Sequence, residues 1–221
     1  MKALKLAILM IALVILSGCA AKPAPYDYTA YKNSDPRSVL VLPPLNNSNE
    51  VIAPYSVLAT ITKPLAESGY YVFPVSLVYD TFMNNGLTVA QDIHAVAPQK
   101  LHEIFAADTA LYLDITEYGT SYVVISSDTV VKLNAKLVDL KTGELLWQGT
   151  ASAASSEQRS SSGGGLVGAL VSAALTQILE TATDAGYDVS KVAAGRLLSA
   201  EAYNGLLHGP RSPKYGQAVK L

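Results

Sequence analysis

The chain has 221 residues, 50% of them hydrophobic, with 16 basic and 18 acidic side chains, a net charge of −2 and one cysteine. That balance leaves no electrostatic footprint for nucleic acid or for a strongly anionic membrane surface. A single cysteine excludes an intramolecular disulfide, so the core must be large and apolar enough to stand alone.

Lys2 and Lys5 are the only charges before Lys22, and Leu6 to Leu16 between them is wholly apolar. That run is shorter than the roughly 20 residues a helix needs to span hydrocarbon. A basic start, a short apolar stretch and the small residues Ser17 and Gly18 describe a secretory signal over residues 1–18. Leu16-Ser17-Gly18-Cys19 resembles the bacterial lipobox, which implies that the signal is removed and that the Cys19 thiol carries palmitate-type acyl chains. At about 0.8 kcal/mol per buried CH₂, two or three chains hold durably in a bilayer. In lipoproteins of this kind an Asp after the cysteine favours the inner membrane; Ala20 stands there and implies the outer one.

Residues 19–37 carry three prolines and three tyrosines without apolar periodicity and read as a lipidated, semi-extended tether. Its tyrosines either stay in solvent or dock on the fold or on the membrane interface. From Ser38 to Leu42 an unbroken apolar strand, closed by Pro43-Pro44, predicts burial on both faces. Val51, Tyr55, Leu58, Ile61 and Leu65 recur at helical spacing, with Pro64 expected to kink or shorten the last turn. A strand over residues 70–75 and three short helices (75–83, 89–97 and one starting at Pro98) follow. The β block then reads as four strands: 111–116, 122–126, 131–139 and 145–151, the last two joined by the turn Lys141-Thr142-Gly143. The order implies an α+β fold, a two-layer α/β sandwich over residues 38–151 with helices on one face of a mixed sheet.

Residues 152–165 are a Ser/Gly-rich loop, residues 166–208 C-terminal helices and residues 209–221 a loose tail. Gly164 and Gly168 stand four apart, a spacing that lets two helices approach closely. Three readings of the apolar run 163–175 stay open: packing on the domain's own sheet, self-association, or contact with membrane.

No catalytic set emerges. His94 and His102 lie eight apart with Pro98 between them, and His208 stands far away, so no metal set forms from one helix face. No serine sits in a G-x-S-x-G elbow. Gly163 to Gly168 lacks the Lys-Ser/Thr of a phosphate-binding loop. Glu144 and Asp139 flank a turn that they keep solvated. Trp147 reads as core or sheet-edge packing. No cofactor or metal is called for, and no enzyme activity.

The stretch 106–149 is more specific. Ala107-Asp108, Glu117-Tyr118-Gly119, Leu137-Val138-Asp139 and Thr142-Gly143-Glu144-Leu145-Leu146-Trp147 resemble a family of proteobacterial lipoproteins of unassigned function that includes a meningococcal surface antigen candidate. That family is similar in fold to the N-terminal domain of the translocation protein TolB and to the periplasmic domains of the curli-secretion lipoprotein and of the lipoprotein activators of peptidoglycan synthases. The resemblance implies a non-catalytic, periplasm-facing docking domain for other envelope proteins, possible as a homo-oligomer, within a secretion or transport assembly. The alternative is a subunit of a membrane-embedded export channel. No amphipathic pair of hairpins, as the curli-secretion protein inserts in membranes, is visible in this sequence.

Overall fold

The computed structural model describes residues 25–123, 126–160 and 185–217; Cys19, Gly164, Gly168 and the apolar run 166–179 lie outside them. Six strands, β1 (Ser38–Val41), β2 (Leu45–Asn46), β3 (Tyr71–Val72), β4 (Thr109–Val123), β5 (Ser126–Asp139) and β6 (Leu145–Ala154), form one mixed sheet. Its order is β3-β1-β4-β5-β6, with β2 also pairing to β4. β1 runs parallel to β3 and β4, whereas β4, β5 and β6 are antiparallel. Among the described residues seven helices flank it: α1 (Thr29–Ser34), α2 (Ala53–Glu67), α3 (Val75–Asn84), α4 (Ala90–His94), α5 (Pro98–Phe105), α6 (Ser155–Ser160) and α7 (Ala185–Leu198). The α+β class and the mixed sheet are as the sequence implies.

On one face, Val57, Ile61 and Leu65 of α2 and Ala193, Ala194 and Leu197 of α7 pack against Leu113, Leu133 and Trp147. This layer covers the sheet along its length. Among the described residues, the other face is covered only at its β1 end, where Val78, Phe82, Ile93 and Leu101 from α3, α4 and α5 bury Leu40, Leu42 and Ala110. β1 therefore has helices on both sides, as an unbroken apolar strand requires. Beyond it the second face of β4, β5 and β6 alternates to polar residues.

Several local expectations change. The four strands of the β block are three. β4 continues through Thr116 and Glu117 by a register shift between Ile115 and Glu117, and it pairs with β5 as far as Val123↔Ser126. A bulge of this kind admits an extra residue without ending the ladder, so the break read at residues 117–121 lies inside one long hairpin. In α2 the buried stripe is Ala53, Val57, Thr60, Ile61 and Leu65, while Val51 and Tyr55 are exposed. Pro64 does not shorten the helix, which runs on to Glu67.

The segment before β1 packs on the fold. Tyr28 and Tyr31 are buried in the main core, Tyr28 Oη donates to the Gly205 carbonyl at 2.6 Å, and the Tyr26 amide donates to Asn204 Oδ1 at 2.9 Å. Of the three readings of these tyrosines, docking on the fold is the one observed for Tyr28 and Tyr31. Within 152–160, β6 extends to Ala154 and turns directly into α6. Asp128 accepts hydrogen bonds from the Ser156 amide and from the Ser155 and Ser156 hydroxyls, while Glu157 Oε1 accepts from the Ala154 amide at 3.0 Å. A glutamate reaching back to the start of its own helix is half of a capping box, which orders serines that composition alone assigns to a loop. Residues 209–217 are not loose either: the Gly209 amide donates to the Ser68 carbonyl at 2.8 Å and the Arg211 amide to that of Gly69 at 3.1 Å.

Candidate interaction face

The uncovered face of β4, β5 and β6 carries cross-strand rows of polar side chains. Lys136 stands between Tyr112 and Gln148, and Asn134 between Asp114 and Thr150. Each row follows from the period of two that sends Leu113, Ala135 and Leu137 to the core on the opposite side. Thr150 Oγ1 donates to Asn134 Oδ1 at 2.9 Å, and Asn47 Nδ2 donates to Asp114 Oδ1 at 2.7 Å. Lys132 and Lys136 project from this face into solvent.

α4 raises a wall at one side of the face. His94 Nε2 donates to the Pro43 carbonyl at 2.8 Å, and its ring meets Tyr112 edge-on with centroids 5.2 Å apart. Burial lowers the His94 pKa, against the opposing pull of the Pro43 carbonyl and the Asp114 carboxylate. The imidazole is therefore neutral near pH 7, with Nδ1 left as an acceptor. Between this wall and β6 lies a groove of about 880 Å³, lined among others by His94, Tyr112, Asp114, Asn134, Lys136 and Thr150. It offers donors, acceptors, both charges and one aromatic ring on a rigid sheet, which suits recognition of a polar surface.

The residues singled out from sequence fall elsewhere or are tied up. Cys19, Gly164 and Gly168 lie outside the described residues. His102 Nδ1 donates to the Ala107 carbonyl at 2.7 Å. His208 joins Glu201, at 3.2 Å from Nε2, to the Ser212 hydroxyl, at 3.1 Å from Nδ1. That Ser–His–Glu chain lines a cleft of about 380 Å³, but Ser212 Oγ also accepts the Lys214 amide, and the Lys214 ammonium caps the Glu201 carboxylate. These contacts fasten the C-terminal turns rather than free a nucleophile. Among the described residues no group of three His, Cys, Asp or Glu side chains could hold a metal ion.

Asp139 is not merely a solvating turn residue. Its Oδ1 accepts the Lys141 and Thr142 amides, both at 2.8 Å, and its Oδ2 accepts the Ser34 hydroxyl at 2.6 Å. Trp147 is in the core, 1% exposed, with Nε1 donating to the Asn204 carbonyl at 2.8 Å. Asn204, at a left-handed φ of 54°, thus serves both Trp147 and Tyr26. Sequence reading passed over it, although Asn-Gly at 204–205 is a strong turn signal.

The architecture is that of a helix-backed mixed sheet, one face of which the described helices leave open over β4, β5 and β6. Residues 26–211 match the family described as "Putative lipoprotein GNA1162-like", and the chain belongs to that family. It is 52% identical over 201 residues, covering 90% of this chain and 93% of the other, to the "Putative lipoprotein NMB1124/NMB1162" of Neisseria meningitidis serogroup B. The crystal structure of lipoprotein GNA1162 from Neisseria meningitidis is similar at a TM-score of 0.53 and 50% identity, over 66% of this chain and 99% of that one. A looser likeness, TM-score 0.39 and 21% identity over 53% of this chain and 82% of that one, is to the LpoB C-terminal domain from Salmonella enterica.

Proposed function

We propose that this chain is an outer-membrane lipoprotein, acylated at Cys19, whose periplasm-facing fold is a non-catalytic docking module for other envelope proteins in a secretion or transport assembly. The observation that carries it is the open β4–β5–β6 face: one side of the sheet is sealed by α2 and α7, while the other presents ordered polar rows beside the His94 wall. The string Leu16-Ser17-Gly18-Cys19-Ala20 and membership of a lipoprotein family support the anchor.

Photo-crosslinking groups placed in cells at Lys136 and Thr150 should capture the same discrete envelope protein, and Lys132→Glu/Lys136→Glu should abolish that adduct without lowering the melting temperature. Identical adducts from positions on the α2 surface would overturn the reading. Cys19→Ala should move the protein from the membrane to the soluble fraction.

The runner-up, a subunit of an export channel, draws on the long β4–β5 hairpin, which the sequence did not reveal; conductance across planar bilayers would raise it above the docking reading. Self-association through Gly164 and Gly168 is the third element of the proposal. Deleting residues 163–175 should leave a folded monomer if that run assembles copies.

A further inference from the structure

Docking of the N-terminal segment shortens the link to the lipid. Five residues, Ala20 to Ala24, and so six Cα–Cα steps, separate the anchor cysteine from Pro25, and by Tyr26 and Tyr28 the chain is hydrogen-bonded to Asn204 and Gly205. At roughly 3.3–3.6 Å per residue this link spans at most about 20 Å in any conformation. A folded unit of this size is about 40 Å across, from a radius of gyration near 15 Å. Its attachment point therefore cannot rise from the bilayer by more than about half the fold's own width.

We propose that the surface around Pro25, Tyr26 and Tyr203 lies against the lipid bilayer, an inference that rests on acylation of Cys19. Pro25 is exposed, Tyr26 is half-buried and Tyr203 is 41% exposed, beside the Asn204 turn that receives the Tyr26 amide. Tyrosine is favoured at such a boundary because its ring is apolar and its hydroxyl can stay wet.

The register of the sheet fixes what lies at the other end. Trp147, bonded to the Asn204 carbonyl, stands opposite Leu137, whereas Gly119 stands opposite Val130. Seven residues of β5 separate the two levels, roughly 24 Å at about 3.4 Å each. Glu50 packs against Gly119, so the exposed Val51 and Ile52 belong to that far end, and the hairpin continues beyond it. The bilayer occupies the Tyr203 end, and the apolar Val51–Ile52 corner faces away from it.

Full-length acylated protein carrying Tyr203→Trp, Pro25→Trp or Val51→Trp tests this in phosphatidylethanolamine–phosphatidylglycerol vesicles, with plain acyl chains or with chains brominated near the head group. Trp147, 1% exposed, supplies a constant background. Tyr203→Trp and Pro25→Trp should lose emission in the brominated vesicles, while Val51→Trp should not. Quenching at Val51, or equal emission from both vesicle types at Tyr203 and Pro25, overturns the assignment and points to a protein partner for that surface. Intact mass separates the two claims. A Cys19 without acyl mass removes the anchor and this inference with it, whereas acylated protein with unquenched Tyr203→Trp and Pro25→Trp sinks the orientation alone.

Discussion

The hydroxyl of Tyr31 meets that of Tyr70 at 2.6 Å, and Tyr70 in turn donates to the Leu207 carbonyl at 2.6 Å. Since Tyr70 spends its proton on Leu207, Tyr31 is the donor in the pair. Three distant pieces of chain are joined in a core where the two rings are 2% and 4% exposed. Tyr70→Phe takes the donor from a carbonyl inside the fold and should cost about 1–3 kcal/mol, while Tyr31→Phe should cost about 0.5–1.5 kcal/mol. Urea melts of both single variants and the double variant measure this; additive costs would deny the coupling.

The same tyrosines predict an alkaline limit. Burial, with a smaller push from Tyr26, raises the Tyr28 pKa to about 12. Burial raises Tyr31 and Tyr70 as well. A group whose pKa rises on folding holds its proton more tightly in the native state. Its stabilisation is complete below the ordinary value near 10 and drains away as pH climbs above it. Melting temperatures should therefore fall steeply above about pH 10, and Tyr28→Phe/Tyr31→Phe should flatten that fall relative to wild type. Parallel profiles would contradict it.

Asp139 predicts the acid side. Burial pushes its carboxyl up, but the Ser34 hydroxyl and the Thr142 and Lys141 amides outweigh burial and leave the pKa lowered. A carboxylate depressed on folding contributes stability above its unfolded value of about 3.9, and the contribution disappears as pH falls through the native value. Asp139→Asn should cost about 1–2 kcal/mol at neutral pH and less in acid. Chemical denaturation at both pH values checks the sign.

Gly186 predicts a clash where helix propensity predicts a gain. Alanine inside a helix is ordinarily better than glycine by about 0.5–1 kcal/mol. Here a Cβ would sit 2.4 Å from Tyr118 Oη and 2.6 Å from its ring carbons, atoms of a stiff side chain that is 7% exposed. Overpacking of about 1–3 kcal/mol should win, so Gly186→Ala melts earlier and Tyr118→Leu partly restores it. A later melt would show that the ring yields.

What was legible in sequence was what burial writes by period. Val39–Leu42 and Leu133–Leu137 placed two strands and their faces, and the motif residues prove to be joints of the fold. Asp108 Oδ2 accepts the Arg37 and Ser38 amides, both at 3.1 Å, and so fastens the start of β1. Gly143, at φ 80°, closes the β5–β6 turn in a conformation that side chains resist. What stayed hidden depended on partners far away in the chain. Nothing near Tyr28 announces Gly205, 177 positions on. Polar residues in β4 ended a strand on paper because a bulge cannot be read from alternation. The β4–β5–β6 face escaped notice because its alternating polar residues look like ordinary solvent exposure until their cross-strand rows are seen.

The asparagine turn at residue 204 ties the segment before β1 to the chain beyond α7. Tyr26, Tyr28 and Tyr70 find their acceptors at residues 204–207, so a product clipped before Asn204 would release residues 26–28, while Ser34 on Asp139 and the Arg37 amide on Asp108 would still fasten the chain ahead of β1. With Cys19 acylated as proposed, the free length from the lipid would then reach about 50 Å, against about 20 Å while Tyr26 is docked. Height above the bilayer would thereby report whether the Asn204 turn is in place.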